Sequence, residues 1–162
     1  MKGTRAAYRL LDEARPGTLA KLAVEPLWPL LGLMLGGAWL GLPWFALNGW
    51  AVGSPTKGRE LLLAGAGLLG SLLIVFGLLS AWQAGYIVSK EAMQYALLVL
   101  VVWKLVIGYA LFSLQSATIE LYQYYGGVLN RFGLPVVLLG ALALRGPVLE
   151  LLPSPLWYLV VS

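Results

Sequence analysis

The chain has 162 residues, 60% of them hydrophobic and 11% charged, with a formal net charge of +4 and neither cysteine nor histidine. Ordinary globular domains are about 45 to 50% apolar and about a quarter charged. A soluble domain is therefore excluded: the stretches 26–56 and 61–89 carry no charged residue and cannot supply polar surface to cover a core. The missing cysteine and histidine also remove disulfides, thiolate nucleophiles, imidazole bases and nearly all transition-metal chemistry.

The positive charge is concentrated at the start, where residues 1–23 read as a basic cytoplasmic segment, a topology signal and not a nucleic-acid footprint. Within it, TRAAYRLLDEAR at 4–15 spaces Ala7, Leu10, Leu11 and Ala14 for one face of a short amphipathic helix, which Pro16-Gly17 stops. Such a helix either lies on anionic headgroups or forms a frayed cap. The apolar stretch that follows is too long for a signal-peptide core, so it is expected to stay in the mature protein.

The rest, 24–162, reads as one transmembrane domain with spans at about 26–50, 60–82, 92–114 and 132–152. In the first, Trp28 and Trp50 stand about 33 Å apart along a helix, as belt anchors would, and Pro43 predicts a kink near 39–43. Gly32 and Gly36 there, and Ala66, Gly70 and Gly77 in the second span, are candidate helix-packing positions because small residues let backbones approach closely. The third span has no proline, so its helix is expected to protrude as far as Gly126-Gly127. The fourth is interrupted by Arg145-Gly146-Pro147, and the tail 153–162 is too short to recross, so it either lies at the interface or packs on the bundle. The fold expected is thus an all-α integral membrane protein of four transmembrane helices, the first and fourth kinked. Retention of Lys and Arg on the cytoplasmic side puts both termini there, most simply in a bacterial inner membrane.

Lys104 is the residue this reading turns on, because a cation near the bilayer centre costs about 2.5 to 3.5 kcal/mol on insertion scales. At 100° per residue Gly108, Leu111, Gln115, Thr118 and Tyr122 fall on its side of the helix, a polar stripe aimed at protein or water. No carboxylate of this chain is expected at its depth, which leaves four readings: it is neutral through desolvation, it snorkels, it lines a wet cavity that admits an anion or proton, or it pairs with an acid on another chain. Arg145 is close enough to the inner boundary to snorkel, with Glu91 and Glu150 as neighbours able to pair with it. Tyr122, Tyr124, Tyr125 and Phe132 are expected to form an aromatic belt, the alternative being a recognition surface on the protruding end of the third span.

Catalysis is not expected. The one aspartate, Asp12, cannot make an aspartyl dyad, Ser113 lies roughly opposite Lys104 on the helix, and no phosphate-cradling glycine pattern follows a strand. No metal, cofactor or nucleic acid is expected. Two functions fit: a small subunit or assembly partner that docks on other membrane chains, or on itself, through glycine-lined faces and the Lys104 stripe; or a small oligomeric channel or transporter using Lys104 to attract an anion or relay protons.

Overall fold

The computed structural model describes residues 18–151 and 154–161, and every regular element among them is helical. The amphipathic helix expected at 4–15 and the segment containing it lie outside the described residues. After a 3-10 turn at Thr18–Leu22 comes α1, Leu27–Leu31, with Pro26 and Pro29 in its first turn, where a missing N–H costs nothing.

The segment at 26–50 does not form one span. A π-helical turn, Gly32–Gly36, prolongs α1 and ends at Gly37, whose φ of 107° and ψ of 179° belong to glycine alone. The chain reverses there and returns as α2, Ala38–Val52. Gly41 crosses directly over Leu33: a methyl group at 41 would lie 2.5 Å from Leu33 Cα and 2.6 Å from its N. In a continuous helix those residues would stand about 12 Å apart, so the two arms are antiparallel neighbours. The break falls at Gly37 and not at the kink expected near 39–43. Pro43 sits on the exposed side of α2, which continues through it.

The frame around this hairpin is a pair of long helices, α3 at Lys57–Gln83 and α4 at Lys90–Tyr124. Ser89 starts α4 by accepting the Ala92 N–H at 3.1 Å, and the helix runs to the end expected from the sequence. Gly70 of α3 makes room for the Trp103 indole, whose Nε1 donates to the Gly67 carbonyl at 3.2 Å. Leu33, Ala38, Leu42 and Phe45 of the hairpin wedge between Ala64 of α3 and Ile107 and Leu111 of α4. Lipid tails are as apolar as leucine, so close packing rather than transfer from water holds this core.

A continuous helical run, Gly133–Glu150, lies along the outside of the hairpin. It comprises α5 (Gly133–Leu138), a π-helical stretch (Leu139–Leu144) and α6 (Arg145–Glu150). Gly133 receives Trp28 and Gly140 receives Leu40. The irregular stretch precedes Pro147, which cannot donate to the carbonyl four residues back. Finally α7, Pro155–Val161, packs on the bundle, with Val160 against Val75 and Leu100.

Three helices, Lys57–Gln83, Lys90–Tyr124 and Gly133–Glu150, are long and apolar enough to cross a membrane. The hairpin starts and finishes at one end of them: Ala23 packs against Ala51, Val52, Ile119 and Tyr122, and Asn130 N–H donates to the Ala23 carbonyl at 2.7 Å. This proximal end holds residues 18–24, 53–56 and 125–132; the distal end holds the 84–89 turn and Glu150. The ten residues of the first arm rise about 15 Å, half of what a hydrocarbon core about 30 Å thick requires, so the Gly36-Gly37 tip stops part-way along the long helices. Three helices long and apolar enough to cross and a shorter helical hairpin stand where four crossings were expected, and residues 18 and 150 lie at opposite ends of the bundle.

Candidate functional site

The residues of the stripe anticipated on α4 share one side of the helix, and the hairpin of the same chain covers most of them. Gly108 is buried against Leu33 and Leu30. Leu111 is enclosed in the core. Gln115 is 1% exposed, and Thr118, half-buried, turns its hydroxyl back to the Leu114 carbonyl at 3.4 Å. The face therefore divides into two sites, one closed and one open.

The closed site is a polar clamp at the proximal end. Gln115 Nε2 donates to the Phe45 carbonyl at 2.6 Å and to Glu60 Oε2 at 2.7 Å, while its Oε1 accepts from Asn48 Nδ2 at 3.0 Å. Asn48 Oδ1 accepts the Val24 N–H at 2.9 Å, and Nδ2 donates to the Val24 carbonyl at 3.1 Å. Glu60 Oε1 accepts from Ser54 Oγ at 2.5 Å and Thr56 Oγ1 at 2.8 Å. Gly49 allows this because a side chain there would collide with the Glu60 carboxyl. No buried side-chain polar atom among the described residues lacks a partner. The gap beside the clamp, bounded by Asn48, Ser54, Gln115 and Thr118, is too small for a water molecule. The clamp ties the lead-in segment at Val24, α2, the 53–56 turn, α3 and α4 together at the point where the hairpin leaves the bundle.

The open site lies one to two turns beyond Gly108, at the hairpin tip. A cleft of about 420 Å³ is lined by Leu35, Gly37, Leu100, Lys104, Arg145 and Leu159, among others. Lys104 is half-buried, and its Nζ donates to the Leu159 carbonyl at 3.0 Å. The expectation concerned carboxylates; the tail, which folds back along α3 and α4, brings a backbone carbonyl to Lys104 instead. Arg145 does not reach Glu91 or Glu150; its guanidinium turns inward and donates to the Leu35 carbonyl at 3.4 Å. Both glutamates are exposed. Gly37, from which α2 starts, lines the same cleft; its carbonyl accepts the Leu40 and Gly41 amides at 3.2 and 3.1 Å, so of the first turn of that 15-residue helix the Ala38 and Trp39 amides precede any intrahelical acceptor.

The packing positions read from the sequence separate likewise. Gly32 and Gly36 serve the hairpin itself, against Trp44 and Leu40, and Gly70 serves the contact of α3 with Trp103. Ala66 is exposed and Gly77 has nothing within 4 Å, so both belong to the outward face of α3. Asn48, Ser54, Thr56 and Glu60 were missed. Asn48 was detectable in principle as a lone amide in an apolar segment, which marks a buried partner.

Against known proteins, the chain matches no family model, no curated protein and no solved structure. The functional reading therefore rests on the geometry of these sites.

Proposed function

We propose that this is a non-enzymatic membrane protein that admits small anions to the mid-membrane cleft at the tip of its re-entrant hairpin. The observation that carries the reading is the convergence of Lys104, Arg145 and the Gly37 turn on one cleft. Two cations at that depth are costly, and a wet or anion-filled cleft offsets the cost. Irregular backbone at membrane depth is stable where it is buried in protein or lines a cavity. Broken helices of transporters point their N-terminal amides at anionic groups in the same manner. In this reading the proximal end, with Lys21, Lys57, Arg59 and Arg131 and with Lys2, Arg5, Arg9 and Arg15 preceding it in sequence, is cytoplasmic. A bacterial inner membrane suits that arrangement.

The absence of native cysteine makes the test clean. In proteoliposomes, Leu35→Cys and Val101→Cys are expected to react at least about 10-fold faster with an anionic methanethiosulfonate reagent than with a cationic one, because a cleft of one charge sign concentrates counter-ions. Lys104→Leu should abolish that preference, and Gly108→Cys and Gln115→Cys should stay silent. Equal rates with the two reagents, or no reaction at 35 and 101, would overturn the proposal.

A second reading, assembly with another membrane chain or a second copy, is favoured by one surface. On α3, Leu62, Leu69, Leu73 and Phe76 are 63 to 75% exposed beside the open Gly77, so a helix could pack closely there. It no longer draws on the Lys104 stripe. Loss of a cross-linked complex on Gly77→Leu, with the thiol pattern above unchanged, would separate assembly from anion access.

A further inference from the structure

Each cation of the open cleft is held by a backbone carbonyl in the last turn of a helical arm. Arg145 donates to Leu35, at the end of the first hairpin arm, and Lys104 donates to Leu159, at the end of α7. Carbonyls in such turns have no intrahelical donor, so their oxygens are available to a side chain. Hydrogen bonds between two ionised groups are shorter and stronger than those from a cation to a neutral oxygen. An anion entering the cleft therefore competes with these carbonyls for the same N–H donors.

The two carbonyls differ in how firmly their segments are seated. The hairpin arm is fixed in the core by Leu33, over which Gly41 crosses. By contrast α7 has seven residues, about 10 Å of helix. Val160, which meets Val75 and Leu100, is buried, but Trp157 and Tyr158 are 46% and 48% exposed. Its apolar neighbours hold it little more tightly than lipid tails would. Among the described residues, the bond from Lys104 is the polar tie between α7 and another helix, and segments with few buried contacts open locally at the lowest cost. When a carbonyl yields to an anion, the one on α7 is the one free to move. Leu159 itself lines the cleft, so its departure enlarges the space beside Lys104.

We infer that α7 is a tethered stand-in for the anion: its Leu159 carbonyl occupies Lys104 in the closed cleft and must be displaced before an anion binds there. The inference rests on the anion-access reading and gives that site its control. Loosening the seat of Val160 opens the cleft, and an anion bound at Lys104 holds α7 away.

The test uses the full chain in proteoliposomes, with Val160→Ala and Val160→Gln loosening the seat of α7 in two steps. Reductive methylation of Lys104, followed by mass spectrometry, reports the cover over its Nζ without reference to anions. The ratio of anionic to cationic methanethiosulfonate rates at Leu35→Cys reports charge discrimination in the cleft. Methylation of Lys104 is expected to quicken about 3-fold in Val160→Ala and at least about 10-fold in Val160→Gln, the latter equivalent to losing about 1.4 kcal/mol of hold. The thiol ratio should rise in the same order, by at least about 3-fold in Val160→Gln. Val160→Ala, the milder change, keeps the inference testable if Val160→Gln disturbs the bundle. Methylation unchanged in both variants, or faster methylation with an unchanged or lower thiol ratio, would overturn the inference and leave the anion cleft standing. A thiol ratio of one in the parent chain and in both variants would instead remove the anion reading, and this control with it, whatever methylation shows.

Discussion

Replacing Gln115 by leucine removes the centre of the polar clamp at nearly constant volume, and the structure sets the size of the effect. Three hydrogen bonds disappear, those to Asn48, Phe45 and Glu60. Asn48 Nδ2 keeps the Val24 carbonyl, and the Phe45 carbonyl keeps its partner within α2. Hydrogen bonds lost in this way between membrane helices average about 0.6 kcal/mol each. Glu60 Oε2 is different, because Gln115 is its donor and Glu60 is 1% exposed. Leaving it without one costs about 1 to 3 kcal/mol. Together Gln115→Leu should destabilise the protein by about 2 to 4 kcal/mol. Reversible unfolding in mixed micelles measures this, with Thr118→Val as the control expected to cost under about 0.5 kcal/mol, since that hydroxyl bonds only within its own helix. Pairing Gln115→Leu with Glu60→Leu should recover at least about 1 kcal/mol relative to the sum of the single changes, because the orphaned oxygen goes with the glutamate. A neutral Gln115→Leu, or strict additivity with Glu60→Leu, would refute the clamp as the lock of the hairpin.

Other predictions follow from the hairpin's geometry. Gly41→Ala forces a methyl group into the Leu33 backbone, so the arms must separate and the same unfolding assay should show a loss of about 2 kcal/mol or more. Gly37→Ala is strained by its φ of 107° whatever space it has, and about 1 to 3 kcal/mol is expected. Gly77→Ala, with nothing within 4 Å on α3, should be neutral or stabilising by up to about 1 kcal/mol in a dispersed monomer.

The membrane class, the full length of α4 and its end near Gly126 were legible because they depend on local quantities: apolar run length, absence of proline, and a glycine stop. The face of α4 that carries Lys104, Gly108 and Gln115 was legible from helical spacing, but what covers it was not. That cover depends on Gly37 reversing the chain, and GLMLGGAWLG reads equally well as a glycine-rich stretch inside one span. Nothing local shows that Gly41 will cross Leu33. A crossing at 26–50 puts the 53–56 turn and Glu60 at the opposite end from residues 18–24, and that arrangement leaves no place for the contacts of Asn48 with Val24 on one side and Gln115 on the other. Lys104 and Arg145 were both flagged by their cost in lipid. Their convergence could not be seen, since it requires the tail at Leu159 and the hairpin tip at Leu35 to arrive at the same depth from distant parts of the chain.

The re-entrant hairpin is the feature from which both sites derive, and the side of the membrane reached by two lysines tests it most directly. Lys21 precedes the hairpin and Lys57 follows it, both exposed, so Lys21→Cys and Lys57→Cys can be labelled with an impermeant maleimide in vesicles of known orientation, with Tyr86→Cys reporting the opposite face. Labelling of positions 21 and 57 from one side and of 86 from the other is the result predicted. Labelling of 21 and 57 from opposite sides would make residues 26–50 a crossing and contradict the account.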